Sequence, residues 1–382
     1  MKKYNFIFFL VVFLIGTDTF LISPLLSTLS KVYGISTNIS GWMVSAYAIG
    51  YAVFALIAGP LSDGRDRKMI MIAGFTAFTF STLLCGFAFS FPLMVLFRFL
   101  AGLAASFVTT QIWAAIPTIA EKKQDVVKMI GIASSGLALA QIIGVPIGSI
   151  LAGLTWHAPF FFISAWSLVI LLVIRHFLPN MPDKRQKKTG PFRSYQTILR
   201  NRKAVLYLLG YLFFQIGSFC VFIFIGTWFS HSFGLTITEI GIATMIIGLG
   251  QFLGSFFGNK LAIRLGLAKS LLLGILALLM LYILTAFSAN IFMAVALLML
   301  VFLVNGFIYP IFMTLITSTS DSAKGTISSL ANSTMYLGTT LAGILGGLLF
   351  TTSLHFTAII IFTIVFELLS LLIYRFSGIF EN

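Results

Sequence analysis

Twelve stretches of this sequence run for about twenty residues or more on apolar side chains, broken only at charged or turn-rich points. At 1.5 Å per residue a helix of that length crosses a hydrocarbon core of roughly 30 Å. The runs predict spans over 5–28, 40–62, 69–88, 91–117, 127–153, 158–178, 204–230, 238–263, 268–288, 291–317, 325–350 and 354–376. Transmembrane strands would alternate polar and apolar residues in units of about ten, so the continuous runs exclude a barrel and specify helices. Two of the breaks, at Ser90–Phe91 and Ala289–Asn290, are short enough that ten or eleven spans also fit. Lys2 and Lys3 ahead of the first run imitate a secretory signal, but the run passes Asp18 to Leu26 with no small-x-small cleavage site and reads as an uncleaved first span.

The charges test that count. The chain carries a formal charge of +14, which in a soluble protein would suggest a nucleic-acid partner, yet only 9% of its residues are charged and 41 are phenylalanine. No water-exposed surface could be built from that composition, so a nucleic-acid role is excluded. With twelve spans, 22 of the 24 Lys and Arg residues fall on one side of the membrane; Lys31 lies on the other and Arg98 inside a span. Basic residues concentrate in cytoplasmic loops. Both termini and the long loop between spans 6 and 7 are therefore expected in the cytoplasm of a bacterial inner or plasma membrane. That loop divides the chain into an N-terminal six-helix bundle (1–178), a basic linker (179–203) and a C-terminal bundle (204–382). The linker reads as an orientation signal, with binding to anionic membrane lipids as the alternative.

The halves echo one another. Gly136, Ala140, Gly144, Gly148 and Ala152 recur every fourth residue in span 5, and Gly338, Ala342 and Gly346 repeat the device in span 11 at an offset of 202. Small residues at this spacing let helices approach closely, and duplicated units with equivalent devices are typical of secondary transporters with a midplane site. The fold expected is all-α and polytopic, with twelve transmembrane helices in two pseudo-symmetric six-helix bundles.

Here the sequence resembles the major facilitator superfamily, and within it the twelve-span drug and metabolite proton antiporters. Gly59, Leu61, Asp63, Arg67 and Lys68 after span 2 follow the family's G-x-L-x-D-R-x-G-R-K, with Gly64 and Asp66 standing where the pattern has Arg and Gly. Arg98 and Gly102, with Ala104 and Ala105, match the span 4 motif, and Gly144, Pro146 and Gly148 resemble the exporter motif of span 5. The second-half copy of the loop motif has Ile263 in place of the acid. The resemblance implies gating roles: Asp63 latching the start of span 11, Arg67 and Asp125 extending the latch, and the Gly144–Pro146–Gly148 segment acting as a pliable or tightly packed element. Pro146 in any case withholds the helical bond to Ile142.

Asp18 is the most informative single residue, since an unpaired carboxylate inside a span costs several kcal/mol and tends to mark a proton or ion path. It lies about thirteen residues, or roughly 20 Å, along span 1, and Arg98 about seven residues, or roughly 10 Å, into span 4 from the opposite side, so their depths agree. In the resembling fold both spans border the cavity. Asp18 and Arg98 are therefore expected to pair or share a water: Arg98 holds Asp18 ionised until substrate or a conformational change removes its influence, and the carboxylate then takes a proton. A static structural pair is the alternative.

Cavity candidates are polar or aromatic pairs at i, i+4 spacing: Tyr47 and Tyr51, Tyr211 and Gln215, Asn305 and Tyr309, Asn332 and Tyr336. Each could equally be interhelical glue. Glu367 in span 12 reads as a packed or lipid-edge protonated carboxyl rather than a second coupling site, because that span is peripheral in the resembling family. Glu239 reads as a helix-start acid. Gly248, Gly250 and Gly254 loosely echo a dinucleotide loop but lie inside span 8 with no preceding strand, so helix packing is the reading.

No phosphate-binding loop, nucleophile constellation or metal-like cluster stands out, so no enzyme chemistry, cofactor or metal is expected. The expected function is export of a small amphipathic or cationic molecule, drug or metabolite, by a monomer that exchanges it for protons through alternating access. The alternative is a proton-coupled importer, or an efflux protein for sugars, metallophores, lipids or other metabolites, on the same fold.

Overall fold

The computed structural model describes residues 2–62, 65–120, 122–181, 191–319 and 324–380. Its secondary-structure elements there are helices, and twelve of them are long and apolar enough to cross a membrane. These are span 1 (Lys2–Tyr33), span 2 (Trp42–Ser62), span 3 (Arg67–Gly86), span 4 (Phe91–Ile119), span 5 (Lys123–Leu139 and Val145–Leu154), span 6 (Ala158–Phe177), span 7 (Arg202–Phe233), span 8 (Ile237–Leu265), span 9 (Leu267–Ala286), span 10 (Ile291–Thr317), span 11 (Lys324–Phe350) and span 12 (Phe356–Phe376). Phe80, Trp166, Leu172, Phe256 and Phe292 are exposed on their outer surfaces, as suits a solvent of lipid tails.

Local chemistry sets the ends. Spans 1 and 7 both run into a glycine with positive φ, Gly34 at +62° and Gly234 at +68°, a conformation that lets the chain leave the helix without a Cβ clash. The two weak breaks are genuine: spans 4 and 10 begin after extended residues Ser90 and Asn290, and the Asn290 side chain accepts from the Met293 amide at 2.9 Å. Span 8 opens on a capping box in which Thr236 and Glu239 bond each other's backbone N–H, so Glu239 is a helix-start acid. Asp66 caps span 3, accepting from the Lys68 amide at 2.9 Å, and also accepts from the Met181 amide at 3.1 Å, tying the start of the linker to the loop after span 2.

Span 5 is interrupted. Residues Ala140–Gly144 form a π turn, and the Val145 amide reaches back five residues to the Ala140 carbonyl. Pro146 follows with no amide hydrogen, so the ladder slips by one residue where its bond would have been.

The halves share a packing plan in one register. A Cβ on Gly50 would meet the Phe99 carbonyl, and one on Gly250 would meet the Met299 carbonyl; Gly74 packs on Phe107 and Val108, and Gly274 on Phe307 and Ile308. Each contact recurs 200 residues later, between spans 2, 3 and 4 and again between spans 8, 9 and 10. Gly250 and Gly254 are thus helix-packing residues against span 10. The small-residue ridge of span 5 packs on span 1, with Gly136 against Phe9 and Phe13, Gly144 on Thr17 and Gly148 on Leu21. In span 11, Gly338 and Gly346 pack on Gln215 and Phe224 of span 7.

The halves meet along three seams. Gly41, just before span 2, touches Gly343 of span 11, and the two spans join through Ser45 Oγ donating to the Thr340 carbonyl at 2.7 Å and again at mid-depth through Ser333 Oγ donating to the Ala52 carbonyl at 2.9 Å. Span 1 meets span 7 where Ser23 Oγ lies 2.6 Å from the Phe222 carbonyl and 3.1 Å from that of Ile223. Span 5 meets span 8 from Gly153 beside Thr238 to Gln141 beside Gly248. These seams run from the face away from the termini to mid-depth. On the terminal face the helix Pro191–Arg200 crosses between the halves, Tyr195 Oη donating to the Leu56 carbonyl at 3.1 Å.

Candidate transport site

Three spans build the charged centre of the first half. The glycine ridge of span 5 draws span 1 inward, and Asp18, one residue from the Thr17–Gly144 contact, is wholly buried. Arg98 enters from span 4 and is equally buried; its Nη1 donates to Asp18 Oδ2 at 2.8 Å. Span 2 closes the site: Arg98 Nε donates to the Met43 carbonyl at 3.4 Å, and the guanidinium lies over the Tyr47 ring, 4.4 Å from its centroid. The pair is joined through one oxygen and one nitrogen. Asp18 Oδ1 and Arg98 Nη2 are buried without a hydrogen-bond partner among the described residues. Both charges thus keep a free position at which a water or a substrate group could bind.

From this centre a polar line runs toward the seam. Tyr47 Oη lies 3.0 Å from Thr19 Oγ1, which also donates to the Ile15 carbonyl. Tyr47, Thr19, Ser23, Phe222, Tyr336 and Thr339 border a small void between the halves, with room for about one water molecule. A second such void touches Ser23, Gln141 and Thr244. Tyr51 hydrogen-bonds Thr109 and stacks on Tyr336 of span 11, centroids 3.7 Å apart.

Of the cavity candidates, Tyr47, Tyr51 and Tyr336 come together at the seam between spans 2 and 11. Tyr211 and Gln215 form a second group in span 7, Gln215 Nε2 donating to Tyr211 Oη at 3.2 Å. Tyr309 lies beside Tyr211 and donates to Met335 Sδ at 3.7 Å. Asn305 faces Ser218, and Asn332 is half-buried one turn before Tyr336.

The gating candidates are scattered. Gly144, Pro146 and Gly148 line the junction of span 5 with spans 1 and 8. Arg67 is buried, its amide donating to the Met181 carbonyl and its Nη1 3.5 Å from Gln111 Oε1; Asp125 is half-buried in the first turn of span 5. Asp63 lies outside the described residues.

Glu367 sits inside the C-terminal bundle, wholly buried, which rules out a lipid edge. It belongs to a polar stripe on span 12 that is turned toward span 7. Thr363 Oγ1 donates to the Gly217 carbonyl, Ser370 Oγ to that of Gly210 and Tyr374 Oη to that of Tyr207, while Glu367 Oε1 accepts from Ser218 Oγ at 3.1 Å. Thr363, Glu367, Ser370 and Tyr374 recur at helical spacing, so the sequence held a signal for this face. Thr19, Ser23, Gln141 and Ser218 carry no comparable signal in the sequence. Intramembrane hydroxyls commonly bond back to their own helix, as Thr17 does, and nothing in the sequence marks Ser23 as the one that reaches across to span 7.

Both the sequence and the fold match known proteins. The sequence model of the Major Facilitator Superfamily matches residues 8–213 and 207–378. The chain is 45% identical over 370 residues to the uncharacterized MFS-type transporter YceJ of Bacillus subtilis, covering 97% of this chain and 95% of that one. It is 29% identical over 238 residues to multidrug resistance protein 1 of the same organism, covering 62% of this chain and 60% of the relative. Among solved structures, a D-xylose–proton symporter superposes with a TM-score of 0.81 at 14% identity, covering 98% of this chain and 97% of that one.

Proposed function

The chain belongs to the Major Facilitator Superfamily, and from that premise we propose that it exports a small amphipathic or cationic molecule in exchange for protons. As a member it is a multi-pass membrane transporter and not an enzyme. The observation that carries the antiport reading is the buried, singly bonded Asp18–Arg98 pair beside the seam between the halves. While Arg98 holds it, Asp18 stays ionised. A cationic substrate can take the place of Arg98 beside the carboxylate and keep it ionised; when the guanidinium is withdrawn and no substrate is bound, Asp18 is neutralised by a proton in a medium that tolerates no lone charge. Substrate and proton then exclude one another at one site, which is the requirement for exchange.

Alternating access is the matching motion. Units 1–178 and 204–382, joined by the linker 179–203, rock about the three seams. The termini and linker lie in the cytoplasm by the distribution of basic residues, so the arrangement described here is closed toward the outside. Opening the outer side separates Ser45 from Thr340 and Tyr51 from Tyr336. The π turn before Pro146, flanked by Gly144 and Gly148, supplies a place for span 5 to bend, and Asp63, Arg67 and Asp125 latch the cytoplasmic side. The aromatic lining favours a flat, apolar cation. The protein works as a monomer surrounded by membrane lipid.

Everted membrane vesicles carrying the protein test this. Acidifying the lumen should drive uptake of ethidium or tetraphenylphosphonium, and a protonophore should abolish it. Uptake that ignores the protonophore, or that requires the opposite gradient, contradicts the antiport reading.

A further inference from the structure

The C-terminal half holds a second buried carboxyl in surroundings unlike those of Asp18. Glu367 Oε1 accepts from Ser218 Oγ of span 7 at 3.1 Å, and the same Oγ lies 3.4 Å from Asn305 Oδ1 of span 10. The Tyr282 hydroxyl of span 9 faces all three groups, yet it and Glu367 Oε2 are buried without a hydrogen-bond partner among the described residues. Spans 7, 9 and 11 pack against span 12. Span 7 adds Cys220 near Tyr282, and among the described residues no charged group acts on Glu367 from any of them.

The other polar residues of the stripe are satisfied by backbone carbonyls, as interhelical glue should be. Glu367 is different: its partner is a hydroxyl shared with a second acceptor. Ser218 has one hydrogen to give and two oxygens converging on it. If Glu367 is ionised, Ser218 donates to it and turns away from Asn305 Oδ1, and an uncompensated charge stands at bilayer depth. If Glu367 carries a proton, it donates to Ser218 and Ser218 donates to Asn305, so one directed chain links the three and no charge is left in the bundle. Glu367 is wholly buried, whereas Ser218 and Asn305 are half-buried, and Asn305 stands one turn from Tyr309, which lies near Tyr51 of span 2 and Tyr336 of span 11. The chain therefore leads from the closed interior toward the space between the halves.

We infer that Glu367, Ser218 and Asn305 form a second proton site, in which Glu367 holds a proton in the outward-closed arrangement and exchanges it through the two neighbours with water between the bundles. In the exchange the Glu367 proton passes to Ser218 Oγ as the Ser218 proton passes to a water hydrogen-bonded at Asn305 Oδ1, and the return step restores both. The use of this proton in transport rests on the antiport reading; its existence does not.

Infrared difference spectroscopy on the purified full-length protein in lipid nanodiscs, with the proton itself as the probe, tests the site. Wild type should show the carbonyl stretch of a neutral carboxyl that fades reversibly as the medium is made alkaline. Glu367→Gln, nearly isosteric, should lose that band while Asp18→Asn keeps it. Ser218→Ala, which leaves the carboxyl in place, should shift it to higher frequency through loss of the hydrogen bond, and Asn305→Leu should slow its shift in heavy water. A spectrum unchanged by Glu367→Gln overturns the proposal. So does a Glu367 band that never responds to pH while the protein stays folded, because that describes a fixed structural carboxylic acid. Loss of gradient-driven transport with the band intact would sink the antiport reading alone and leave the second site standing.

Discussion

At one register the two halves pack alike and carry different charges. Gly50 and Gly250 each press on a carbonyl of the neighbouring span, at Phe99 and Met299. One residue before those carbonyls stand Arg98 in the first half and Leu298 in the second, both wholly buried. The repeat thus copied the close approach of helices and not the cation. The first half neutralises its buried acid with a guanidinium, whereas the second sets its acid on a different helix among hydroxyl and amide groups. Packing depends on small residues at fixed spacing and survives duplication, while chemistry depends on single side chains and diverges.

The sharpest way to break this comparison is to give the first half the residue of the second. Arg98→Leu removes one partner of a buried pair and should destabilise the protein by about 3–5 kcal/mol, read as a fall in thermal midpoint in detergent, and adding Asp18→Asn should restore much of it. Wild-type stability for Arg98→Leu alone would show that Asp18 is not held by that pair. The shared packing predicts matched, smaller losses: Gly50→Val and Gly250→Val should each cost about 1–3 kcal/mol, because the new side chain must displace backbone. A large cost in one half and none in the other would end the claim of a common register. The smallest effect separates the two span starts. Asn290→Ala should cost about 1 kcal/mol through loss of its cap, whereas Ser90→Ala should change little, since Ser90 makes no side-chain cap bond.

Much of the fold was legible because hydropathy and basic residues both count spans. The count of twelve needed no tertiary information, and the weak breaks resolved into two span starts, one after an extended Ser90 and one capped by Asn290. Span 1 runs on to Tyr33 rather than residue 28, because Lys31 and Tyr33 can keep polar tips at the interface and leave the helix intact until Gly34 ends it. Matching depth from opposite sides placed Asp18 and Arg98 at one level, and the structure brings them into direct contact. Glu367 was harder to read. Which face of span 12 turns inward is decided by its packing on span 7, and the stripe of Thr363, Ser370 and Tyr374 was the clue to it. The π turn in span 5 was also hidden, since Pro146 fixes which bond is lost and not how the preceding turn rearranges.

The central claim is that Asp18 couples transport to protons, and reconstituted Asp18→Asn protein tests it most directly when two modes are measured on the same vesicles. With ethidium as probe, gradient-driven accumulation should vanish while exchange of labelled for unlabelled dye, which needs no net proton movement, continues. Gradient-driven accumulation at the wild-type level in Asp18→Asn would contradict the account.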